Sequence, residues 1–125
     1  MSEVTDAIGT ELLFENDEVR VWSMTLAPGA ASPVHHHLRN WLYVYVTDDN
    51  LMETQFADGR RERALFGDGF VGFHRVGDVA HPDLTHALHN AGARIHRQIL
   101  VEFKTEPDPT EGAPMRYDNG RRTSD

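Results

Sequence analysis

Turn signals recur along this chain at short intervals, and the segments between them are too short for ordinary helices. Glycine, proline, aspartate and asparagine mark the breaks, for example at residues 27–29, 58–59 and 90–92. The segments between the breaks are rich in β-branched and aromatic side chains, which favour strands. No segment shows convincing helical periodicity. Many short strands separated by turns predict an all-β sandwich or barrel.

We predict extended segments between these turns, with Asp58-Gly59 as a two-residue hairpin turn. The segments cover residues 18–26, 31–37, 41–46, 51–57, 60–66, 70–74, 85–89 and 93–104. The sequence changes character from residue 105, because prolines and a glycine between 106 and 114 interrupt any regular element. The expected organisation is one barrel domain over 1–104 and a tail over 105–125. This tail is expected to be flexible, or to lie over the barrel or a partner subunit.

Composition limits the classes of function. The 125 residues suffice for one domain, and 20 acidic against 12 basic residues give a formal net charge of −8. A net acidic surface argues against nucleic acid and anionic membranes as partners, since both require basic patches. The N-terminus has no apolar signal region and no stretch is long enough to cross a bilayer, so we expect a cytoplasmic protein.

Histidines form two clusters, and the chain contains no cysteine. Any metal must therefore be bound by nitrogen and oxygen. In an extended segment, side chains two residues apart point to the same face, so His35 and His37 lie side by side and His36 points away. A second cluster follows at His81, His86 and His89. Two imidazoles from one strand and a third from another could bind a divalent metal inside a small barrel.

The spacing of these residues resembles the two motifs of the cupin superfamily. The first motif is matched by Gly29, five residues, His35, one residue and His37. The ends of the second motif are matched by Gly77 and by His86-x3-Asn90, although its interior is about two residues shorter here. The resemblance implies a double-stranded β-helix, also called a jelly-roll barrel, over residues 12–104. It also implies that His35, His37 and His86 are the metal ligands.

The chain departs from the cupin pattern where the first motif has a glutamate. Trp41 or Leu42 occupies that position, and neither carries a carboxylate. The resemblance then implies a three-histidine site, as in thiol dioxygenases. Such a site has an additional open coordination position and favours anionic chelating substrates. Some side chains remain candidates for a fourth ligand or for a group behind the ligands: His81, Glu53, Gln98 and Glu102.

A looser resemblance connects the chain with small single-domain cupins of the β-alanine degradation type. The residues that carry it are 19–22, 77–79, the His86-x3-Asn90 motif and 99–104. This resemblance implies small carboxylated metabolites as ligands.

Two residues near the first motif are candidate catalytic groups. Tyr43 shares a face with Trp41 and Tyr45; this face either packs the barrel or lines a pocket, where a phenol could donate a proton or contact substrate. Arg39 closely follows the histidines and could attract a carboxylate at the mouth. We expect the remaining histidines to be ordinary solvated or hydrogen-bonded residues: His36, His74, His89 and His96.

These observations favour a metal-dependent enzyme with dioxygenase-like chemistry on a small chelating metabolite. Iron is the favoured cofactor, while manganese, nickel or zinc fit the same ligands, and zinc would instead activate water. The alternatives are a non-catalytic small-molecule sensor and a metal-free isomerase that uses histidine as base and tyrosine as acid. We also expect a homodimer, because the apolar edge strand at 12–14 would need covering.

Overall fold

The computed structural model describes residues 7–77, 81–104 and 115–121, which form strands and one 3₁₀ turn. The strands are β1 (Glu11–Glu15), β2 (Val19–Leu26), β3 (His35–His36), β4 (Trp41–Tyr45), β5 (Asn50–Phe56), β6 (Arg61–Phe66), β7 (Val71–Arg75), β8 (Thr85–Asn90), β9 (His96–Phe103) and β10 (Met115–Asp118). The 3₁₀ turn, Pro82–Leu84, immediately precedes β8.

The strands form two antiparallel sheets. One has six strands in the order β1-β2-β9-β4-β7-β10, and the other has four in the order β3-β8-β5-β6. The large buried apolar side chains come from both sheets and from the connecting segments: Ile8, Met24, Leu26, Trp41, Tyr45, Met52, Phe70, Val76, Leu84 and Leu100. This architecture confirms the predicted all-β double-stranded β-helix.

Strand β9 shows how the sequence determines which side chains face inward. Its burial alternates along the chain, so that His96, Gln98, Leu100 and Glu102 are buried while the residues between them are more exposed. A period of two is the geometry of a strand with one face on the core. Because β9 lies between β2 and β4, its inward polar residues sit near the centre of the six-stranded sheet.

The predicted hairpin between β5 and β6 forms, but Phe56 pairs with Arg60, so its loop has three residues, 57–59, instead of two. Gly59 has a backbone φ of 93°, which residues other than glycine rarely adopt. Its amide donates to the Phe56 carbonyl at 3.0 Å. Asp58 accepts from the backbone amide of Arg60 at 3.1 Å and closes the turn from the other side. The Asp58-Gly59 pair therefore fixes the register of β5 against β6.

Two features differ from the expected organisation. The extended segment after Gly29 contains a strand of only two residues, His35–His36, which pairs with β8. Strand β10 lies beyond residue 104, within the predicted tail, and pairs with β7 as the edge of the six-stranded sheet. Residues 105–114 and 122–125 of that tail, and 78–80 of the second motif, lie outside the described residues. Among the described residues, no helix has the length and apolar character required to cross a membrane.

Candidate metal centre and its cavity

The pairing of β3 with β8 brings the candidate ligands together. His35 is the register partner of His86, so the two imidazoles project from neighbouring strands on the same face. His37 follows two residues after His35 and joins them, with its backbone amide bonded to the Leu84 carbonyl at 2.9 Å. One potential ligand atom from each histidine lies within 4.8 Å of the other two.

Two backbone carbonyls orient two of these rings. Nδ1 of His35 lies 3.0 Å from the Pro33 carbonyl oxygen, and Nδ1 of His86 lies 2.8 Å from the Asp83 carbonyl oxygen. A carbonyl only accepts, so each Nδ1 carries the proton and donates it. In a neutral ring this leaves the Nε2 lone pair free to bind a cation. Such support behind a ligand is typical of histidines that bind metals.

His37 completes the group in a way that fits a cation. Its Nε2 lies 3.1 Å from Nε2 of His86, which has no proton there if that ring is neutral. Its Nδ1 is buried and has no hydrogen-bond partner among the described residues. Two nitrogens bound about 2.1 Å from one ion, at angles of about 90 to 110°, lie about 3.0 to 3.4 Å apart. The separation between Nε2 of His37 and Nε2 of His86 falls within this range, so this pair fits one divalent metal, with His35 beside it.

Burial keeps all three imidazoles neutral near pH 7. It lowers the pKa of His35 to about 3 and the pKa of His86 to about 4. The pKa of His37 is also well below its ordinary value, first because of burial and then because of the neighbouring histidines. A metal binds the neutral form of imidazole, so the site needs no deprotonation at physiological pH.

The histidine group forms one end of a cavity of about 310 Å³ between the two sheets. Its walls combine polar and charged side chains with aromatic and aliphatic ones, contributed mainly by β4, β5, β8 and β9. A concave site in which polar groups converge beside apolar walls is typical of small-molecule binding. The volume suits a small molecule.

Comparison of structures identifies the fold. A cupin domain from Bordetella pertussis Tohama I superposes with a TM-score of 0.62 at 18% identity, covering 82% of this chain and 98% of that chain. An RmlC-like cupin family protein from Methanocaldococcus jannaschii gives 0.54 at 17% identity, covering 87% and 91%. The chain has the cupin fold. The polyketide cyclase RemF from Streptomyces resistomycificus gives 0.51 at 19% identity, with 75% of this chain and 59% of that one covered.

Sequence comparison adds nothing to this assignment of the cupin fold. No model of a protein family matches the chain, and no curated protein matches it either. Because their sequence identity to this chain is below 20%, the solved cupin structures support the assignment of the fold alone.

Of Trp41 and Leu42, the two residues considered for the glutamate position of the first motif, Trp41 lines the cavity. Its ring stacks on His37 at 3.5 Å between centroids, with planes 8° apart, and on His74 at 4.3 Å, with planes 13° apart. The other residue considered for that position, Leu42, does not line the cavity. The indole of Trp41 therefore packs against the face of the His37 ring, and no carboxylate is present at this position.

The four candidates for a further ligand lie apart from the histidine group. Glu53 accepts hydrogen bonds from Gln55 and Arg63 on the outer face of β5, and Glu102 contacts Trp22 and Arg20. His81 caps the 3₁₀ turn by accepting from the Asp83 amide.

Gln98 lines the cavity, but its amide nitrogen lies 2.8 Å from Nε2 of His96. Within the described part of the chain, the group able to bind a metal contains the three histidines alone.

The two candidate catalytic residues have different environments. Tyr43 lines the cavity, and its hydroxyl lies 3.2 Å from Nε2 of His74, another cavity residue. Gly72 makes room for this phenol, since a Cβ there would lie 2.5 Å from the Tyr43 hydroxyl. Arg39 does not line the cavity, and its Nη1 is buried without a hydrogen-bond partner among the described residues.

Sequence reasoning missed several residues that line the cavity, among them His74 and Arg116. His74 was expected to be an ordinary histidine, although its alternation with Phe70 and Gly72 along β7 places it on the inner face. Arg116 reaches the cavity from β10. No motif surrounds Arg116, because the proline-rich sequence before it favours a tail.

Proposed function

We propose that this protein is a metal-dependent enzyme that acts on a small chelating metabolite, with carboxylated compounds as the substrate class. The observation that carries the proposal is the convergence of His35, His37 and His86, two of them held by backbone carbonyls, in the cavity between the two sheets. Iron is the metal that we favour, and manganese, nickel or zinc fit the same ligands.

Three neutral ligands define the type of chemistry. A site without the glutamate carries one less negative charge and leaves an additional coordination position open, which suits an anionic chelating substrate. When bound there, iron would supply the redox chemistry that allows a chelated organic molecule to react with oxygen. Dioxygenation places both atoms of O₂ in the product, so it needs no external reductant.

The remaining cavity side chains bind the substrate and control its protons. Apolar groups of Leu88, Leu100 and Phe56 exclude water around the reacting atoms. The Tyr43 hydroxyl and Nε2 of His74 form a pair that can hold a proton or pass it to a substrate oxygen. Buried His74 has its pKa lowered to about 3, first by burial and then by Arg116, so this ring is a neutral acceptor near pH 7.

Metal analysis tests the ligand set. We expect untreated protein to contain stoichiometric metal, and His86→Ala to lose most of it. His36→Ala is the matched control, because His36 lies between the two ligands but bonds Thr85 at 2.6 Å instead of joining the group. Metal that persists in His86→Ala would show that the ligand set is wrong.

Oxygen uptake tests the reaction. Iron-loaded protein should consume oxygen with at least one member of a panel of small carboxylates and thiols. The His86→Ala variant should not. Iron-loaded protein that consumes no oxygen with any chelating ligand would contradict the dioxygenase proposal.

The pair formed by His74 and Tyr43 favours one second candidate, an isomerase that uses acid–base chemistry. The two groups lie within hydrogen-bond distance on one wall of the cavity, as an acid–base pair requires. Activity that survives complete removal of metal by a chelator, and disappears in Tyr43→Phe, would favour this candidate over the metal-dependent enzyme.

A further inference from the structure

An ion pair lies across the cavity, between the last strand of each sheet. Arg116 is on β10, the edge of the six-stranded sheet, and Glu62 is on β6, the edge of the four-stranded sheet. Nη1 of Arg116 lies 3.5 Å from Oε1 of Glu62, and both side chains are about half exposed, at 52% each. Both side chains line the cavity that contains the histidine group.

The same pair also lines a second cavity of about 210 Å³ that adjoins the first. Five residues belong to both walls: Tyr43, Tyr45, Thr54, Glu62 and Arg116. The ion pair therefore lies where the two spaces meet, and a ligand that extends beyond the histidine end would encounter it.

Register connects Arg116 to the ligand end of the cavity. Arg116 is the partner of His74 on β7, and His74 is the partner of Trp41 on β4. The Trp41 ring in turn stacks on the candidate ligand His37. A row of inward-facing side chains therefore runs across the sheet from the guanidinium to the metal-binding histidines.

Arg116 is the cation available to a ligand in this cavity. Among the described residues, it is the one arginine or lysine that lines the main cavity. Arg60 bonds both Asp58 and Asp83 and does not line the cavity. Asp83 also lines the cavity, but its charge is balanced by Arg60.

The contact with Glu62 is weak enough to exchange. A half-exposed ion pair with a single long contact contributes roughly 0–1 kcal/mol. A guanidinium has five N–H donors, and a carboxylate that binds two of them in parallel forms a stronger and more directional pair. A substrate carboxylate in this geometry can replace the Glu62 contact.

We propose that Arg116 binds a carboxylate of the substrate where the two cavities meet, and that Glu62 releases the guanidinium when this happens. The substrate class is then a small acid that carries a chelating group at one end and a carboxylate at the other. This inference rests on the proposed function, because it assigns the chelating end to the metal site. It gives Arg116 the role that the sequence suggested for Arg39.

Matched ligands provide the test. Malonate, succinate and glutarate, together with the monoamides of succinate and glutarate, are titrated into metal-loaded protein by isothermal calorimetry. We expect the best diacid to bind at least tenfold more tightly than its monoamide. Arg116→Gln should remove this preference, and Glu62→Gln should tighten diacid binding several-fold by removing the competing carboxylate.

A control variant and two opposite outcomes make the test decisive. Arg61→Gln changes a neighbouring arginine on β6 that does not line the cavity, and it should leave the preference unchanged. A preference that persists in Arg116→Gln overturns the inference, and so does a failure of every diacid to bind. Diacid binding that weakens equally in Glu62→Gln and Arg116→Gln also overturns it, since the pair would then be structural.

Metal content, measured on the same samples, separates this inference from the proposed function. Stoichiometric metal in wild type and in Arg116→Gln, without any diacid preference in wild type, would refute the role of Arg116 alone. A diacid preference that requires Arg116 in protein unable to bind metal would support the anion site and refute the metal-dependent function.

Discussion

Trp41 contacts two imidazoles through its ring, and one of them belongs to a candidate ligand. The indole is only 3% exposed, and it stacks on both His37 and His74. Because Nδ1 of His37 has no hydrogen-bond partner among the described residues, this stacking restrains the tilt of the His37 ring together with the contact of its Nε2 to His86. A ligand ring that is free to tilt binds metal less tightly, because its nitrogen lone pair no longer points at the ion.

Substitution of Trp41 therefore has two separable effects. Trp41→Ala should lower the free energy of unfolding by about 3–5 kcal/mol, as for other buried large-to-small changes, and should weaken metal binding. Trp41→Phe preserves an aromatic face and should retain most of the metal affinity. Thermal unfolding of metal-free protein and metal competition titrations measure the two effects. Equal metal affinity in the Ala and Phe variants would contradict the positioning role of the ring.

At the scale of elements, β7 and β4 fit together because one residue of β7 has no side chain. Gly72 lies opposite Tyr43 in the register, and a Cβ at Gly72 would lie 2.5 Å from Cζ and Oη of the phenol. The backbone of Gly72 does not have a positive φ, so its requirement for glycine comes from this contact. The strand pair thus places the hydroxyl beside His74.

Gly72→Ala should displace the Tyr43 ring. Overpacking of this kind typically costs about 1–3 kcal/mol of stability, and it should break the hydrogen bond to His74. In a double-mutant cycle with Tyr43→Ala, the Gly72 substitution should become nearly neutral, because its clash has been removed. Chemical denaturation of wild type, the two single variants and the double variant gives the coupling free energy between the two residues. Additive changes in the free energy of unfolding would show that a side chain at 72 does not clash with Tyr43.

At the scale of the whole molecule, buried neutral histidines make the fold sensitive to acid. Burial lowers the pKa of five histidines below the ordinary value: His35, His37, His74, His86 and His96. Between about pH 6.5 and 4 the unfolded chain therefore binds more protons than the folded one. The stability of metal-free protein should fall as the pH decreases through this window.

His96 provides the matched test of this dependence. It is fully buried, its Nδ1 donates to Asn50 and its Nε2 accepts from Gln98, and burial lowers its pKa to about 4. His96→Gln retains a donor and an acceptor without titrating. Between pH 6.5 and 4 the free energy of unfolding should fall less steeply for the variant than for wild type, by up to about 1.4 kcal/mol per pH unit. Urea unfolding across this range measures the free energy of unfolding of both proteins against pH. Equal slopes would contradict the contribution of His96 to the acid sensitivity.

The homodimer also belongs to this scale, and it stays a prediction. All five residues of β1 are exposed, including Leu12 and Phe14 at 45% and 54%, and β1 is the edge of its sheet. An exposed apolar edge favours pairing with a second copy. Light scattering at micromolar concentration should give the mass of a dimer, and Leu12→Lys with Phe14→Lys should reduce it to a monomer. A monomeric wild type would reject the prediction.

The parts of the fold that the sequence predicts are those encoded locally. Alternation of side chains and the turn at Asp58-Gly59 predict most strands, and the spacing of His35 and His37 predicts that they share a face. The cavity wall depends instead on which strands become neighbours. Arg39 is near the histidines in sequence but does not line the cavity, whereas Arg116 is far along the chain and does. Only the pairing of β10 with β7 reveals this.

The position of β10 has a consequence for how such a protein can diversify. The candidate ligands come from β3 and β8 and the segment after β3, while Arg116 comes from an edge strand that contributes no ligand. On the proposed assignment, reactivity and selectivity are encoded in separate stretches of the chain. A substitution in 115–118 is then expected to change the class of substrate and to leave the chemistry at the histidines unchanged.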